Sequence, residues 1–175
     1  MFEGYDAQSG LIRLSWDDIM EMCRQLAKEI KEDFDPEVIV GIAKGGVIPA
    51  AIIASMLRVE FYPIRLSRRI RERLVRQVPE VIVPLTEDVE GKRTLIVDEM
   101  SVTGETLKMA VAEAKRKGAK RVKTAALYVQ PDSFRPTWYC LETASLVIPP
   151  WDFEILDGGE FVIRPEYLSE MERLE

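Results

Sequence analysis

Two short apolar segments, each followed by a glycine-containing loop and a helix-like segment, constrain the fold of this chain most strongly. Residues 38–42 and 93–97 are rich in Val, Ile and Leu and have the length of strands buried on both faces. Residues 47–57 are apolar throughout, as in a buried helix, and residues 105–117 carry apolar side chains at helical spacing. Because strand, loop and helix occur twice, we predict an α/β fold with a twisted parallel sheet flanked by helices.

The rest of the chain extends this pattern. Residues 15–31 have the spacing of an amphipathic helix, and Ser15 with Asp18 resembles a capping start. Further strands are predicted at residues 59–66, 81–83, 122–129 and 146–148, and a last short helix at residues 166–173. With neither an internal repeat nor a linker in the sequence, we expect a single domain over residues 1–175.

Composition excludes several classes of function. The 24 basic and 30 acidic residues give a net charge of −6, so we expect no general attraction to nucleic acid or acidic lipid. Histidine is absent, which excludes Ser-His-Asp and Cys-His nucleophiles and His-ligated zinc. The two cysteines form no CxxC pair, and the sequence shows neither an export signal nor an apolar run of about 20 residues. We therefore expect a reduced, cytoplasmic protein.

The loop at residues 98–104 predicts a site for a sugar phosphate. It leads into a helix, whose unpaired N-terminal amides and dipole favour a phosphate. Asp98 and Glu99 can accept hydrogen bonds from vicinal sugar hydroxyls or bind a hydrated Mg²⁺. The alternative is a solvated strand end followed by an ordinary helix cap. Hydroxyl donors are available from Ser101, Thr103 and Thr106.

The loop after residues 38–42 predicts a second anion site. Lys44 supplies a cation, and Gly45 and Gly46 allow the backbone to approach a ligand closely; a plain turn with a solvated lysine is the alternative. Neither G-x-x-x-x-G-K-[ST] nor G-x-G-x-x-G is present, so P-loop and dinucleotide-binding proteins are not indicated. The arginine-rich residues 65–76 form either a solvated face or an arm that closes over an anionic substrate.

Residues 94–107, TLIVDEMSVTGETL, resemble the phosphoribosyl pyrophosphate (PRPP) motif of the type I phosphoribosyltransferases. That motif is an apolar strand, two acidic residues and a Thr-Gly-x-Thr helix start. Residues 130–139 and 149–152 are similar to the small prokaryotic purine phosphoribosyltransferases, the xanthine, hypoxanthine and guanine group. The resemblance covers roughly residues 14–155. It implies a core at about 14–130, a small hood at about 130–155 and a tail at 156–175.

The resemblance implies transfer of the phosphoribosyl group from Mg-PRPP to a purine base, with release of pyrophosphate through an oxocarbenium-like transition state. Asp98 and Glu99 would hold the ribose hydroxyls and Mg²⁺, with Lys44 as a third catalytic residue. The residues implied for the 5′-phosphate are Ser101, Val102, Thr103, Gly104, Glu105 and Thr106. Those implied for pyrophosphate are Ala43, Lys44, Gly45, Ser67, Arg68 and Arg69, with a cis peptide at Ala43-Lys44. Those implied for the base are Gln130, Leu146, Val147, Trp151 and Asp152.

Three positions depart from the 6-oxopurine pattern. Val102 replaces an Asp and has no group that could act as a general base. Gln130 aligns with a lysine that reads the exocyclic oxygen, and Leu146 with an aromatic that stacks on the base. Two alternatives therefore stay open: a non-catalytic regulator that binds PRPP or a nucleotide, and a transferase for a non-purine base. The resemblance also implies a homodimer or homotetramer. The acidic charge and the lack of a long apolar run lead us to expect no nucleic-acid and no membrane partner.

Overall fold

The computed structural model describes residues 5–6, 10–67, 69–70, 73–74, 80–85 and 87–174. These residues fall into two compact units. The core unit is Met22–Thr143, and the flanking unit combines the described parts of Met1–Glu21 and Ala144–Glu175. The division into a core at about 14–130, a hood at about 130–155 and a tail, which the resemblance implies, stays a prediction.

Strand and helix alternate over residues 16–67 and again over residues 93–129. The helices are α1 (Trp16–Asp33), α2 (Val47–Leu57), α3 (Glu105–Arg116) and α4 (Pro165–Leu174), with a 3₁₀ turn at Glu87–Val89. The strands are β1 (Tyr5–Asp6), β2 (Leu11–Arg13), β3 (Val38–Ala43), β4 (Glu60–Ser67), β5 (Arg69–Ile70), β6 (Arg73–Leu74), β7 (Glu80–Val83), β8 (Arg93–Ser101), β9 (Arg121–Val129), β10 (Trp138–Glu142), β11 (Leu146–Ile148), β12 (Glu154–Asp157) and β13 (Glu160–Ile163).

The core unit contains a six-stranded sheet in the order β10-β9-β8-β3-β4-β7. Its neighbouring strands are parallel from β10 to β4, which confirms the prediction of a parallel sheet. The edge pair β4 and β7 is antiparallel and corrects that prediction at this edge. The described residues between β4 and β7 include no helix, only the antiparallel pair β5 and β6. Antiparallel neighbours need no crossover helix, whereas parallel neighbours do.

Strand β3 is buried on both faces because a helix packs on each side of it. Val38, Val40 and Ile42 belong to an apolar cluster that includes Leu107, Ala110 and Ala114 of α3. The opposite face is closed by α2, which comes so near that a Cβ on Gly41 would lie 2.8 Å from the Cβ of Ala50. Since successive strand residues point to opposite faces, α2 and α3 lie on opposite sides of the sheet.

The flanking unit contains two small sheets and the last helix. Strands β1, β2 and β11 form one sheet, with β2 and β11 parallel. Strands β12 and β13 form an antiparallel hairpin that the sequence pattern did not predict, whereas the predicted C-terminal helix is confirmed as α4. Strand β10 of the core unit was not predicted either. Within the described part of the chain, the structure has no helix long and apolar enough to cross a membrane.

Helix α1 begins with a reciprocal cap, as the sequence predicted. The amide of Asp18 donates to the hydroxyl oxygen of Ser15 at 3.1 Å, and the amide of Ser15 donates to the Asp18 carboxylate at 2.8 Å. The hydroxyl of Ser15 also donates to that carboxylate at 2.6 Å. Because these bonds satisfy backbone donors that the helix itself leaves unpaired, they stabilise the start of α1.

Ser15→Ala is expected to lower the free energy of unfolding by about 1 kcal/mol, because it removes the hydroxyl that accepts from the amide of Asp18. The melting temperature should fall by about 2–4 °C, measured by thermal denaturation. Ser55→Ala is the matched control, since Ser55 is exposed within α2. Equal melting temperatures for the two variants would contradict the capping role.

Candidate active site

A cavity of about 310 Å³ lies where β3 and β8 end. The two strands are parallel neighbours, with Gly41 opposite Val97, so the loops that follow them leave the same edge of the sheet. Ten predicted site residues line this cavity: Ala43, Lys44, Gly45, Asp98, Glu99, Ser101, Val102, Thr103, Gly104 and Thr106. Glu105 is not among the lining residues. Ile42, Leu66, Met100 and Leu107 also line it, although the sequence analysis did not assign them to a site.

Strand β8 is longer than the sequence predicted. The expected strand at 93–97 continues to Ser101, so Asp98 and Glu99 lie within the strand and not in a loop. The added residues pair with β9, with Asp98 opposite Ala126 and Ser101 opposite Val129. Strand β9 is nine residues long and pairs with β8 at both ends, from Arg93 opposite Arg121 to Ser101 opposite Val129. The connection to α3 is therefore short, residues 102–104.

Asp98 and Glu99 form a carboxylate pair at the cavity. The amide of Glu99 donates to Oδ1 of Asp98 at 2.8 Å. Burial raises the pKa of Asp98 to about 7; the hydrogen bond from the Glu99 amide lowers this pKa, and the negative charge of Glu99 raises it. A carboxyl with such a pKa changes its charge near neutral pH, which is typical of functional sites.

The loop after β3 meets the carboxylate pair through two glycines. A Cβ on Gly45 would lie 1.9–2.4 Å from the carboxylate atoms of Glu99. On Gly46 a Cβ would lie 2.7 Å from the Cα of Asp98, and 2.8 Å from the carbonyl oxygens of Ile42 and Val97. The Ala43-Lys44 peptide is cis, as the resemblance implied. The glycines therefore allow the Lys44 loop to lie directly against the end of β8.

The connection from β8 to α3 has the features of an anion-binding helix start. Gly104 has a φ of +73° and precedes α3, and Thr103 Oγ1 accepts from the amide of Glu105 at 3.4 Å. The start of a helix favours an anion, because its first amides point towards the ligand and the helix dipole is positive there. Val102 is 40% exposed, with an apolar side chain at the cavity.

Two predicted residues, Ser101 of the cavity lining and Gln130, form hydrogen bonds within the protein itself. The Ser101 side chain is buried, and its hydroxyl donates to the carbonyl oxygen of Phe134 at 2.9 Å. The amide of Gln130 donates to the carbonyl oxygen of Ser101 at 3.0 Å. Ser101 therefore connects the end of β8 to residues 130–134.

The remaining predicted pyrophosphate residues lie partly outside the described chain. Ser67 ends β4 and Arg69 begins β5, and only their backbone is described. Arg68 lies outside the described residues. Their predicted contact with pyrophosphate stays a prediction.

Four predicted base-binding residues belong to the flanking unit. Leu146 and Val147 lie on β11, opposite Leu11 and Ile12 of β2. The ring centroids of Trp151 and Trp16 are 5.8 Å apart. The carboxylate of Asp152 accepts from the guanidinium of Arg164 and, at 2.6 Å, from the hydroxyl of Tyr167.

The architecture and the position of the cavity define the class of protein. It is an α/β protein whose candidate site lies beyond the carboxyl ends of parallel strands, where such sheets commonly bind ligands. The family model of the phosphoribosyl transferase domain matches residues 14–156, and the chain belongs to this family.

Similar proteins include enzymes and a regulator. The hypoxanthine-guanine phosphoribosyltransferase of Schizosaccharomyces pombe is 36% identical over 129 residues, 62% of this chain and 62% of that protein. The transcriptional regulator GfcR of Archaeoglobus fulgidus is 32% identical over 108 residues, 62% of this chain and 54% of that protein. This chain thus spans less than two thirds of the length of either relative. A purine phosphoribosyltransferase structure from Pyrococcus horikoshii has a TM-score of 0.75 and 31% identity, covering 85% of this chain and 98% of that chain.

The two loop glycines are expected to respond differently to alanine. Gly46→Ala places a methyl group against backbone atoms, so we expect a loss of about 1–3 kcal/mol in the free energy of unfolding. Gly45→Ala meets the mobile end of the Glu99 side chain, which can rotate away, so stability should change by less than about 0.5 kcal/mol. Urea denaturation measures both. A crystal structure of Gly45→Ala in which the Glu99 carboxylate has not moved would contradict the expectation that this side chain rotates away.

Asp98→Asn is expected to stabilise the metal-free protein more at about pH 8 than at about pH 5. The pKa of Asp98 is about 7 in the folded protein against an ordinary value of 3.8. The folded form therefore binds the extra proton between these values, and the stability contributed by Asp98 falls as the pH rises through this window. Because one pKa unit corresponds to about 1.4 kcal/mol and about two units of this window lie above pH 5, the gain of the variant should be about 2–3 kcal/mol larger at pH 8 than at pH 5.

Urea denaturation in EDTA at both pH values measures this gain. If the difference between variant and wild type is the same at the two pH values, the pKa of Asp98 is not raised.

Proposed function

We propose that this protein transfers the 5-phosphoribosyl group of Mg-PRPP to a purine base, giving a nucleoside 5′-monophosphate and pyrophosphate. The observation that carries this proposal is the cavity where Asp98 and Glu99 face the Lys44 loop and the start of α3. One cavity thereby offers carboxylates for a ribose, amides for a phosphate and a cation for a second anionic group. PRPP has these three parts in one molecule.

The reaction requires little covalent chemistry from the protein. A ring nitrogen of the base attacks C1 of the ribose, the bond from C1 to the pyrophosphate oxygen breaks, and its electron pair leaves with pyrophosphate. Positive charge develops on the ribose ring, and the nearby carboxylates of Asp98 and Glu99 stabilise it. Val102 has no ionisable group, so the proton of the base passes to water or to the departing pyrophosphate.

The two loops have different roles in this proposal. The amides of residues 102–106 and the hydroxyls of Thr103 and Thr106 bind the 5′-phosphate. Lys44 and the backbone of Gly45 bind pyrophosphate, and the positive charge of Lys44 stabilises the charge that develops on this leaving group. We extend the pyrophosphate site to Ser67, Arg68 and Arg69, as the resemblance implies.

Mg²⁺ fits the donor set of this cavity. Among the described residues no three acidic, Cys or His side chains form a metal cluster. Asp98 and Glu99 alone suit Mg²⁺, because this ion commonly takes one or two carboxylates together with substrate oxygens and water. When bound, Mg²⁺ would neutralise part of the charge on pyrophosphate.

The base site, assembly and location complete the proposal. We assign base contacts to Gln130, Leu146, Val147, Trp151 and Asp152 on the resemblance. On the resemblance we further propose a homodimer or homotetramer. We place its activity in the cytoplasm, because a multiply charged substrate such as PRPP does not cross membranes unaided.

A regulator that binds PRPP or a nucleotide without turnover is the second candidate. Val102 favours the regulator, because a valine cannot accept or donate a proton near the base. The similarity to GfcR also favours it. A transferase for a non-purine base is compatible with the same observation. Assays of pyrophosphate release separate these possibilities.

The test is pyrophosphate release from Mg-PRPP with hypoxanthine, guanine, xanthine, adenine, uracil or orotate. We expect release with at least one purine, and a loss of at least about 100-fold in kcat/KM for Asp98→Asn and for Glu99→Gln. Asp88→Asn is the matched control, because Asp88 is exposed and lies outside the cavity.

The other outcomes of this assay would support one of the two alternatives or contradict the proposed site. Release with uracil or orotate alone would identify a non-purine transferase. Binding of PRPP by calorimetry without turnover on any base would identify the regulator. Full activity in both carboxylate variants would overturn the assignment of the cavity.

A further inference from the structure

Residues 130–134 lie against the phosphate loop, defined here as residues 101–104, from the side of strand β9. Ser101 is 1% exposed and is held at both ends: its carbonyl accepts from the amide of Gln130, and its hydroxyl donates to the carbonyl of Phe134. The amide of Ser133 donates to the carbonyl of Gln130 at 3.2 Å, which forms a turn within this segment. The phosphate loop is therefore attached to a segment almost 30 positions further along the chain.

The side chain of Phe134 packs directly on Gly104. A Cβ on Gly104 would lie 2.1 Å from the Cβ of Phe134, 2.7 Å from its Cγ and 2.9 Å from its Cδ1. Gly104 has a φ of +73°, and its carbonyl accepts from the amide of Lys108 at 2.9 Å in the first turn of α3. Phe134 thus contacts the point where the loop becomes a helix.

Lys108 of α3 also contacts the Phe134 ring. The ammonium of Lys108 lies 5.5 Å from the centroid of the Phe134 ring and forms an ion pair with Glu105 at 2.9 Å. Phe134 is 37% exposed, more than an ordinary core residue, and it does not line the cavity. The ring therefore acts on the cavity only through the loop and the first helical turn.

We propose that Phe134 is a positioning residue that holds the phosphate loop in its phosphate-binding conformation. It acts through Gly104 and Ser101 and does not touch the substrate. The inference rests on the proposed function, because it assigns the 5′-phosphate to this loop. Loss of the ring frees Gly104, the residue with the most conformational freedom, so the amides at the start of α3 no longer point in one direction.

The experiment measures equilibrium binding of ribose 5-phosphate and of inorganic pyrophosphate by calorimetry in the presence of Mg²⁺. Phe134→Ala should weaken ribose 5-phosphate binding about tenfold and leave pyrophosphate binding unchanged within about twofold. The second expectation follows because pyrophosphate is assigned to Lys44 and Gly45, which Phe134 does not contact. A general loss of structure would weaken both ligands, so this split distinguishes positioning from folding.

Three variants serve as controls. Phe134→Leu keeps atoms equivalent to Cγ and Cδ1 on Gly104 and should retain ribose 5-phosphate affinity within about twofold. Phe134→Val should show an intermediate loss of about threefold, which preserves the test if the alanine variant does not fold. Phe161→Ala removes an aromatic ring that is 74% exposed on β13, and should change neither affinity.

The outcomes separate this inference from the proposed function. If wild type binds ribose 5-phosphate and the Ala and Val variants bind it equally well, Phe134 has no positioning role and the proposed function stands. Parallel losses for both ligands would also overturn the positioning role. If wild type binds neither ribose 5-phosphate nor PRPP, the proposed function and this inference both fail.

Discussion

The parallel pairing of β3 with β8 is the constraint on which the candidate site depends. Backbone hydrogen bonds hold the two strands in register from Val38 opposite Thr94 to Gly41 opposite Val97. Their loops therefore leave the sheet side by side, although they are more than 50 positions apart in the chain. Without this register, the cation of Lys44 and the carboxylates at the end of β8 would not share a cavity.

The two loops also come unusually close, and glycine makes this possible. Any side chain at Gly46 would overlap the backbone of β8, and a side chain at Gly45 would occupy the space of the Glu99 carboxylate. Neither glycine has a positive φ, so the space around them is what matters: Gly46 meets backbone atoms that cannot move aside, and Gly45 leaves room for the Glu99 carboxylate. Gly104 differs, because both its φ of +73° and its contact with Phe134 exclude a side chain.

The site works against folding stability. Burial of Asp98 beside Glu99 disfavours the charged form of Asp98 and so raises its pKa, which makes the folded state less favourable above neutral pH. The apolar cluster between β3, β4 and α3 offsets this cost nearby. A purely structural protein would avoid two neighbouring carboxyl groups such as these, and their presence is typical of a functional site.

Local patterns were sufficient to predict α2, α3, β3 and the charged and hydroxyl-bearing residues that line the cavity, because apolar periodicity, glycines and helix-start residues act over a few positions. The sequence by itself determined the α/β class and the chemical groups at the two loops. Only the tertiary structure decided where β8 ends, that β7 runs antiparallel, and that Phe134 packs on Gly104. Each of these depends on a partner distant in the chain: backbone donors of β9, the free edge of β4, or residues brought together by folding.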